Sequence, residues 1–223
     1  MDSANTSLNS NATTRTPVTR YAQTNLPTRH GTLRCVVYRD QDGLEHVAMV
    51  AGNVNGAEDV LVRVHSECLT SEVLGSLKCD CKNQLDRALE TIAWMGKGVV
   101  LYLRQEGRGI GLGNKIRAYA LQELGHDTVD ANRMLGLPDD TRRYDDAAEM
   151  LRDLGVRSVA LMTNNPAKVE GLRQAGMEVT RRVEHVAAIQ SHAGGYMETK
   201  ARRLGHLLDG ALPGHQDLSQ LAK

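Results

Sequence analysis

Strand-like and helix-like segments alternate along the chain from about residue 60, and this alternation constrains the fold more than any other feature. Short runs of strand-forming residues predict strands at residues 60–64, 99–103, 158–162 and 177–183. Apolar residues at three- and four-residue spacing predict a helix at residues 85–95, and further helices bounded by glycine or proline are predicted at residues 114–124, 145–154 and 167–175. Because this alternation is typical of a parallel or mixed sheet covered by helices, we expect an α/β (α+β) fold with a mixed sheet flanked by helices.

An N-terminal β-hairpin region is expected to extend the same sheet. Residues 32–38 and 46–51 are rich in strand formers and flank the turn sequence Asp40-Gln41-Asp42-Gly43. No internal repeat divides the chain. We therefore predict one domain over residues 25–208.

Other segments carry fewer structural signals. Residues 1–24 are polar and without periodicity, so we expect a disordered tail, and we expect a flexible C-terminal tail at residues 209–223. Residues 125–143 have few regular signals and are predicted to form a long connection. A last helix is predicted at about residues 197–208.

Composition and charge narrow the classes of function. Basic and acidic residues number 27 each, whereas a protein that binds a nucleic-acid backbone usually carries a basic excess. Arg104, Arg108, Lys115 and Arg117 form a local excess that suits a small anionic ligand, so we expect no nucleic-acid partner. No apolar run approaches the roughly 18 residues that a membrane-spanning helix needs, and the N-terminus is polar where a signal peptide is apolar. We therefore expect a cytoplasmic protein with no membrane association.

Three of the four cysteines cluster with the spacing C-x10-C-x-C, at Cys68, Cys79 and Cys81. In a cytosolic protein, such a cluster indicates a metal or catalytic site before it indicates disulfides. Three thiolates with an open fourth position suit a catalytic zinc ion, which activates water at neutral pH. A closed structural site with His65 or Cys35 as the fourth ligand has the same sequence signature. Three buried cysteines without a metal are a further reading.

Two predicted strand-to-helix junctions have the composition of anion-binding loops. The first holds Gly107, Gly109 and Gly111, and glycines let main-chain N–H groups approach a phosphate. It matches neither the GxGxxG dinucleotide pattern nor the P-loop, so a flexible turn explains it equally well. The second junction runs from Thr163 to Lys168, where Lys168 could meet an anion at the start of a helix. An ordinary capped helix is the alternative.

Taken together, six segments of the chain resemble one family. They occur in the same order in GTP cyclohydrolase II, and the resemblance extends from about residue 26 to residue 208. The segments are Arg63–Cys68 (RVHSEC), Cys79–Cys81 (CDC), Arg104–Arg108 (RQEGR), Asn114–Gln122 (NKIRAYALQ), Asp127–Asn132 (DTVDAN) and Thr163–Pro166 (TNNP).

The resemblance implies which residues form the site. The zinc ligands of the family correspond to Cys68, Cys79 and Cys81, which favours the catalytic metal. The implied contacts to GTP are Arg63, Val64, His65, Ser66, Glu67, Gln84, Glu106, Gly107, Arg108, Thr128, Thr163 and Lys168.

Three further residues carry the implied catalytic roles. Asp140 corresponds to the proton acceptor of the family, Arg142 to its nucleophile and Tyr119 to its active-site tyrosine. A shift of one residue in the loop would select Asp139 and Arg143 instead. Arg142 could also act by stabilising charge on the phosphoryl group, because a guanidinium normally stays protonated.

The implied reaction is that of a zinc-dependent hydrolase acting on a cyclic amidine. It would convert GTP to 2,5-diamino-6-hydroxy-4-(5-phosphoribosylamino)pyrimidine, formate and diphosphate, as the first step of riboflavin biosynthesis. The resemblance also implies Zn2+ held by three cysteines and a water, Mg2+ with the triphosphate, and a homodimer. Two alternatives are a paralogue that stops at the formamide or serves a secondary-metabolite pathway, and a non-catalytic zinc nucleotide-binding module.

Overall fold

A mixed sheet of seven strands organises residues 18–185, the part of the chain that this computed structural model describes. The strands are β1 (Thr19–Thr28), β2 (Gly31–Arg39), β3 (Glu45–Ala51), β4 (Val60–Ser66), β5 (Gly98–Leu103), β6 (Ser158–Met162) and β7 (Glu178–Val183). The helices are α1 (Leu69–Glu72), α2 (Cys81–Met95), α3 (Leu112–Glu123), α4 (Thr128–Met134), α5 (Asp145–Asp153) and α6 (Pro166–Gln174). A short 3-10 helix at Glu106–Gly109 lies between β5 and α3.

The sheet has an antiparallel half and a parallel half. Its strand order is β1-β2-β3-β5-β4-β6-β7. Each neighbouring pair from β1 to β5 is antiparallel, whereas β5, β4, β6 and β7 run parallel. The expected mixed sheet is therefore confirmed. The N-terminal hairpin is also confirmed, because Tyr38 of β2 pairs with His46 of β3 in antiparallel register.

Helices cover both faces of the parallel half because its central strands are apolar on both sides. Every residue of β6 is buried, and so are the first six residues of β4. Val62 and Val64 belong to a core cluster that includes Leu151 of α5. Leu61, whose side chain points to the opposite face, belongs to a second cluster with Ile92 of α2. The core thus forms two layers, one on each side of the sheet.

The strand order places a crevice at the carboxyl ends of β4, β5 and β6. The chain leaves β4 and reaches β5 on one side through α2, and it later reaches β6 on the other side of β4. In open α/β sheets, ligands bind outside the carboxyl ends of the strands where the strand order reverses in this way. The fold therefore marks one edge of the sheet as the place for a site.

The structure corrects the predicted N-terminal boundary. Residues 19–24, predicted as disordered tail, belong to β1, which pairs with β2. Nearly every residue of β1 is exposed, so the strand carries no alternation of apolar residues that the sequence could reveal. Its order comes from main-chain hydrogen bonds to β2 and from Arg20, which forms an ion pair with Asp153 at 2.6 Å.

The connection predicted over residues 125–143 is also wrong in part, because it contains α4. This helix has seven residues, which is too short to show a helical period. Its N-cap is Asp127, whose side chain accepts hydrogen bonds from the main-chain N–H groups of Val129 and Asp130. The predicted helix at 197–208 and the tail at 209–223 lie outside the described residues, as do residues 1–17. Within residues 18–185, no helix is both long and apolar enough to cross a membrane.

Gly98 permits the close contact between β5 and α2. A Cβ atom at this position would lie 2.6 Å from Ile92 Cγ2 and 3.0 Å from the Leu61 carbonyl oxygen. We expect Gly98→Ala to lower the free energy of unfolding by about 1–3 kcal/mol, as overpacked cores do. Urea denaturation measures this.

Gly113→Ala is the matched control, because a Cβ there meets nothing within 4 Å and the residue lies in α3. This substitution should leave stability unchanged or raise it by up to about 1 kcal/mol. Equal stability of the two variants would contradict the tight β5–α2 contact.

Candidate active site

One cavity lies at the carboxyl ends of β4, β5 and β6, where the fold predicts a site. Most of the residues implied by the resemblance line it: Arg63, His65, Ser66, Glu67, Cys68, Cys81, Gln84, Glu106, Gly107, Arg108, Tyr119, Thr128, Arg142, Thr163 and Lys168. Three of the implied residues do not line it, namely Val64, Cys79 and Asp140. The cavity therefore brings together segments from Arg63 to Lys168, which lie 105 positions apart in the chain.

The three clustered cysteines converge at one wall of this cavity. Their sulfur atoms all lie within 4.8 Å of one another, and Cys68 Sγ is 3.5 Å from Cys79 Sγ. Cys68 directly precedes α1, and Cys81 is the first residue of α2, so a turn at Asp80 brings Cys79 and Cys81 together. This arrangement of thiols is one that a zinc ion can bind.

The two candidates for a fourth protein ligand do not belong to this group. His65 Nε2 instead lies 2.7 Å from Glu72 Oε1, and Cys35 lies in β2. Within residues 18–185, the geometry thus offers three sulfur ligands, of which those of Cys68 and Cys81 line the cavity. An open coordination position facing the cavity fits this arrangement better than a closed four-ligand site.

Electrostatics favour a thiolate at Cys68. Hydrogen bonds from Cys79 and Cys81 are the largest influence that lowers the pKa of Cys68 well below its ordinary value. Lys115 adds to this effect, because its Nζ lies 3.1 Å from Cys68 Sγ. The hydrogen bond to Cys68 raises the pKa of Cys79. The cluster thus holds negative charge, as metal ligands must.

Glu106 holds the cysteine loop against the glycine-rich loop. Its carboxylate accepts hydrogen bonds from the main-chain N–H of Leu69 at 2.7 Å and of Gly107 at 2.7 Å. It also forms an ion pair with Lys115 at 2.8 Å, and only about a tenth of either side chain is exposed. Burial alone would lower the pKa of Lys115, but its bonds to Glu106 and Cys68 raise the pKa above its ordinary value. Lys115 therefore stays protonated beside the Cys68 thiolate.

Two buried cations lie beneath the cavity. Arg63 donates to the Met162 carbonyl oxygen at 3.0 Å and to Gln84 Oε1 at 2.6 Å. Burial lowers the pKa of Arg63 to about 10, so its guanidinium is still charged at neutral pH. Lys168 Nζ donates to the Val64 carbonyl oxygen at 2.7 Å. These cations give the floor of the cavity a positive charge that suits an anionic ligand.

Asp140 and Arg142 form a close pair, with Arg142 at the cavity wall. Arg142 Nη2 lies 2.5 Å from Asp140 Oδ2, and Arg142 Nε lies 3.0 Å from Asp140 Oδ1. Burial would raise the pKa of Asp140, but hydrogen bonds and charge from Arg142 hold it below its ordinary value. The Thr141 N–H between them donates to the Arg108 carbonyl oxygen, which fixes the pair beside the glycine-rich loop.

The alternative pair, shifted by one residue, has different partners. Asp139 forms an ion pair with Arg133, and Arg143 forms one with Asp145. Neither Asp139 nor Arg143 lines the cavity. Of the two arginines, only Arg142 lines the cavity, and the choice of Asp140 over Asp139 stays a prediction. Tyr119 also lines the cavity, and its ring centroid lies 4.8 Å from Lys78 Nζ.

Comparison with known proteins decides the family. The sequence profile described as GTP cyclohydrolase II matches residues 19–184. The chain belongs to the GTP cyclohydrolase II family. Its matched region includes every element of the sheet and every residue discussed above.

Relatives with known names are more than half identical to the matched part. The monofunctional riboflavin biosynthesis protein RIBA 3, chloroplastic, of Arabidopsis thaliana is 55% identical over 192 residues, which cover 85% of this chain and 38% of that protein. The riboflavin biosynthesis protein RibBA of Salinispora tropica is 56% identical over 191 residues, 84% of this chain and 47% of that protein. RibBA of Bacillus subtilis is 53% identical over 195 residues, which cover 86% of this chain and 49% of that protein. The chain thus spans from about two fifths to one half of the length of these relatives.

The cavity of this GTP cyclohydrolase II family member has nine further lining residues that are not among the implied site residues, and of these only Lys115 was indicated by the sequence, as part of the local basic excess. The nine are Asp80, Ile110, Lys115, Ala118, Gln122, Asn132, Asn164, Asn165 and His185. All except Ile110 and His185 lie within the six segments that resemble the family. Their position in those segments could therefore have indicated them as site residues. His185 follows β7, and no motif indicated it. Its Nε2 lies 2.8 Å from the Gln84 carbonyl oxygen, and burial lowers its pKa well below the ordinary value.

Glu106 is expected to be important for stability because its carboxylate joins two loops and Lys115. In Glu106→Gln the charge is removed, and an amide N–H₂ group must face donors that the carboxylate accepts from. We expect the free energy of unfolding to fall by about 2 kcal/mol or more. Urea denaturation at neutral pH measures the change.

Glu123→Gln is the matched control for this prediction. Glu123 also pairs with a lysine, Lys78, but its side chain is 71% exposed. An exposed pair contributes about 0–1 kcal/mol, so this variant should unfold nearly as the unmodified protein does. A similar small loss in Glu106→Gln would show that the three bonds to Glu106 do not stabilise the site.

Proposed function

We propose that this chain catalyses the GTP cyclohydrolase II reaction, hydrolysing GTP to 2,5-diamino-6-hydroxy-4-(5-phosphoribosylamino)pyrimidine, formate and diphosphate. The observation that carries the proposal is a single cavity lined both by Cys68 and Cys81 and by Arg142. The reaction needs two kinds of chemistry, ring hydrolysis and cleavage at a phosphate. The group of three cysteines suits ring hydrolysis. Arg142, together with the buried cations Arg63 and Lys168, suits cleavage at the phosphate. Membership of the family supports the same assignment.

At the base end, we propose that Cys68, Cys79 and Cys81 hold Zn2+, with water at the fourth position. Zinc bound in this way supplies Lewis acidity and activates water at neutral pH. The protein holds the thiols in place through the first turns of α1 and α2, and Lys115 balances part of their charge. Tyr119 is proposed to orient the purine through a hydrogen bond from its hydroxyl.

At the phosphate end, we propose that Arg142 stabilises charge on the transferring phosphoryl group. Its two-point pairing with Asp140 favours a guanidinium that keeps its proton. Arg63, Lys168 and Arg108 are proposed to attract the triphosphate, together with Mg2+. A covalent role for Arg142, with Asp140 as the proton acceptor, is the alternative. A guanylyl adduct on Arg142, found by mass spectrometry after quenching, would support that alternative.

The wider setting of the reaction is also a proposal. The relatives named for riboflavin biosynthesis suggest that pathway, and a homodimer in the cytoplasm stays a prediction. A non-catalytic nucleotide-binding module is the second candidate. The shared cavity of Arg142 and Tyr119 with Cys68 and Cys81, and the ion pair of Arg142 with Asp140, favour the enzyme.

Turnover of GTP tests the proposal directly. Zinc-loaded protein incubated with GTP and Mg2+ should release formate, diphosphate and the pyrimidine in equal amounts. The three products are measured together, by formate dehydrogenase coupling, by a diphosphate assay and by absorbance. Diphosphate without formate would indicate a truncated reaction. GTP binding without any product would favour the binding module.

The role of the cysteines is tested by substitution. We expect Cys79→Ser to lower bound zinc from about one ion per subunit to well below half, because three-thiolate coordination is lost. Release of formate should fall by at least about a hundredfold. Zinc content is measured by atomic absorption after dialysis. Cys35→Ser is the matched control and should keep both zinc and activity, since Cys35 lies in β2, outside the sulfur group. Full zinc content in Cys79→Ser would contradict the assignment.

A further inference from the structure

A buried histidine between two carboxylates lies at the edge of the site. His46 is the second residue of β3, and only 1% of it is exposed. Its Nε2 lies 3.3 Å from Asp40 Oδ2 and 3.8 Å from Asp146 Oδ2. Both carboxylate side chains are about 5% exposed. None of these residues lines the cavity, and the proposed reaction does not use them.

The other ring nitrogen of His46 fixes the tautomer. The main-chain N–H of Arg104 donates to His46 Nδ1 at 3.1 Å. A main-chain N–H can only donate, so Nδ1 must carry a lone pair. The proton of the neutral ring is then on Nε2, which faces Asp40 and Asp146 and makes no hydrogen bond of good geometry in the structure. The ring therefore presents an N–H dipole to two buried carboxylates.

This tautomer argues against a metal ion at the cluster. One histidine nitrogen and two carboxylate oxygens within 4.8 Å of one another could in principle bind a divalent cation. A histidine that binds a metal almost always donates a hydrogen bond from its other ring nitrogen. His46 Nδ1 accepts one instead, so a metal at Nε2 would require removal of the last ring proton. The contacts fit a neutral imidazole ring that connects neighbouring segments better than they fit a metal ligand.

We propose that His46 is a positioning residue that joins the two segments carrying Arg108 and Arg142. Through Nδ1 it holds the start of residues 104–109, the segment that includes Arg108. Through Nε2 it attracts Asp146 in the first turn of α5, which immediately follows the segment with Asp140 and Arg142. Asp40 anchors the joint to the β2–β3 turn, because its Oδ1 accepts from the N–H groups of residues 42 and 44.

The expected consequence is on the rate of reaction rather than on folding alone. A displacement of about 1 Å in a positioned group can cost on the order of a hundredfold in rate. If the segment after β5 loses its bond to His46, Arg108 can shift relative to the buried cations Arg63 and Lys168, and Arg142 shifts with it because Thr141 is bonded to the Arg108 carbonyl oxygen. The kinetic part of this inference rests on the proposed turnover of GTP, whereas the tautomer of His46 does not.

The first test reads the tautomer without any substrate. Long-range proton–nitrogen correlation spectra of protein labelled with 15N-histidine resolve the two nitrogens of each ring, and His46→Asn identifies the signals of His46 among the eight histidines. We expect an unprotonated Nδ1 and a protonated Nε2 at neutral pH. A proton on Nδ1, a doubly protonated ring or a bare Nε2 would each overturn the proposal.

The second test uses two variants that each keep one half of the ring. His46→Asn places an amide oxygen near the Nδ1 position and can still accept from Arg104 N–H. His46→Gln can reach toward the carboxylates but leaves that N–H without its acceptor. We expect turnover at saturating GTP, per folded molecule, to fall in both variants: at least about tenfold in His46→Gln, which loses the hydrogen bond, and about threefold in His46→Asn, which loses only the weaker attraction at Nε2.

Ser158→Ala is the matched control for these variants. Ser158 is buried, and its hydroxyl also accepts from a main-chain N–H, that of Asp59, but it lies at the opposite end of the parallel strands. This variant should lose stability without loss of turnover per folded molecule. Equal turnover in the two His46 variants, or a loss of turnover in Ser158→Ala as large as in His46→Gln, would overturn the positioning role. If the unmodified protein does not turn over GTP, the proposed function fails. The measured tautomer of His46 then still tests the proposed contacts of its ring, because that measurement needs no substrate.

Discussion

The parallel pairing of β4 with β5 and β6 is the constraint on which the site depends. Ser66 at the end of β4 is level with Leu103 at the end of β5, and Val62 of β4 is level with Leu161 of β6. The loops that follow these three strands therefore begin at one edge. Because the strands are buried on both faces, a shift of the register by one residue would move each apolar side chain to the opposite face of the sheet, into the other core layer. The burial that fixes the register thus also fixes the geometry of the cavity.

The charges at this edge are held by the ends of the same strands. Arg63 and Lys168 are each about 5% exposed, and both donate to carbonyl oxygens at the carboxyl ends of strands, Met162 in β6 and Val64 in β4. Burying a cation costs free energy unless it is hydrogen-bonded. Here the hydrogen bonds to the carbonyl groups lower that cost. The two cations in turn provide donors for these carbonyl oxygens. Positive charge fixed in advance suits an enzyme that acts on a triphosphate, because little reorganisation is then needed on binding.

The sequence could predict the elements that repeat a period and the segments that match a family, but not the contacts between them. The strands of the parallel half and the long helix α2 are marked by apolar patterns that burial imposes. β1 and α4 are not marked, because one is exposed and the other has seven residues. The spacing of the three cysteines left a catalytic metal, a structural metal and no metal open. Their convergence beside the cavity, away from Cys35 and with His65 bonded to Glu72, is the added observation that supports the proposed catalytic metal.

A match to a family segment also does not reveal which atoms remain for a ligand. Glu106 and Gln84 are both implied contacts of GTP, yet the Glu106 carboxylate already accepts three hydrogen bonds and Gln84 bonds both Arg63 and Asp80. Much of their hydrogen-bonding capacity is therefore used within the protein, which leaves less of it for a ligand. By contrast, Ser66 Oγ and His65 Nδ1 are buried without a hydrogen-bond partner in the structure. An unpaired buried polar atom costs about 1–3 kcal/mol, and pairing with a substrate would recover that cost. We therefore expect discrimination between substrates to depend more on Ser66 and His65 than on Glu106 and Gln84.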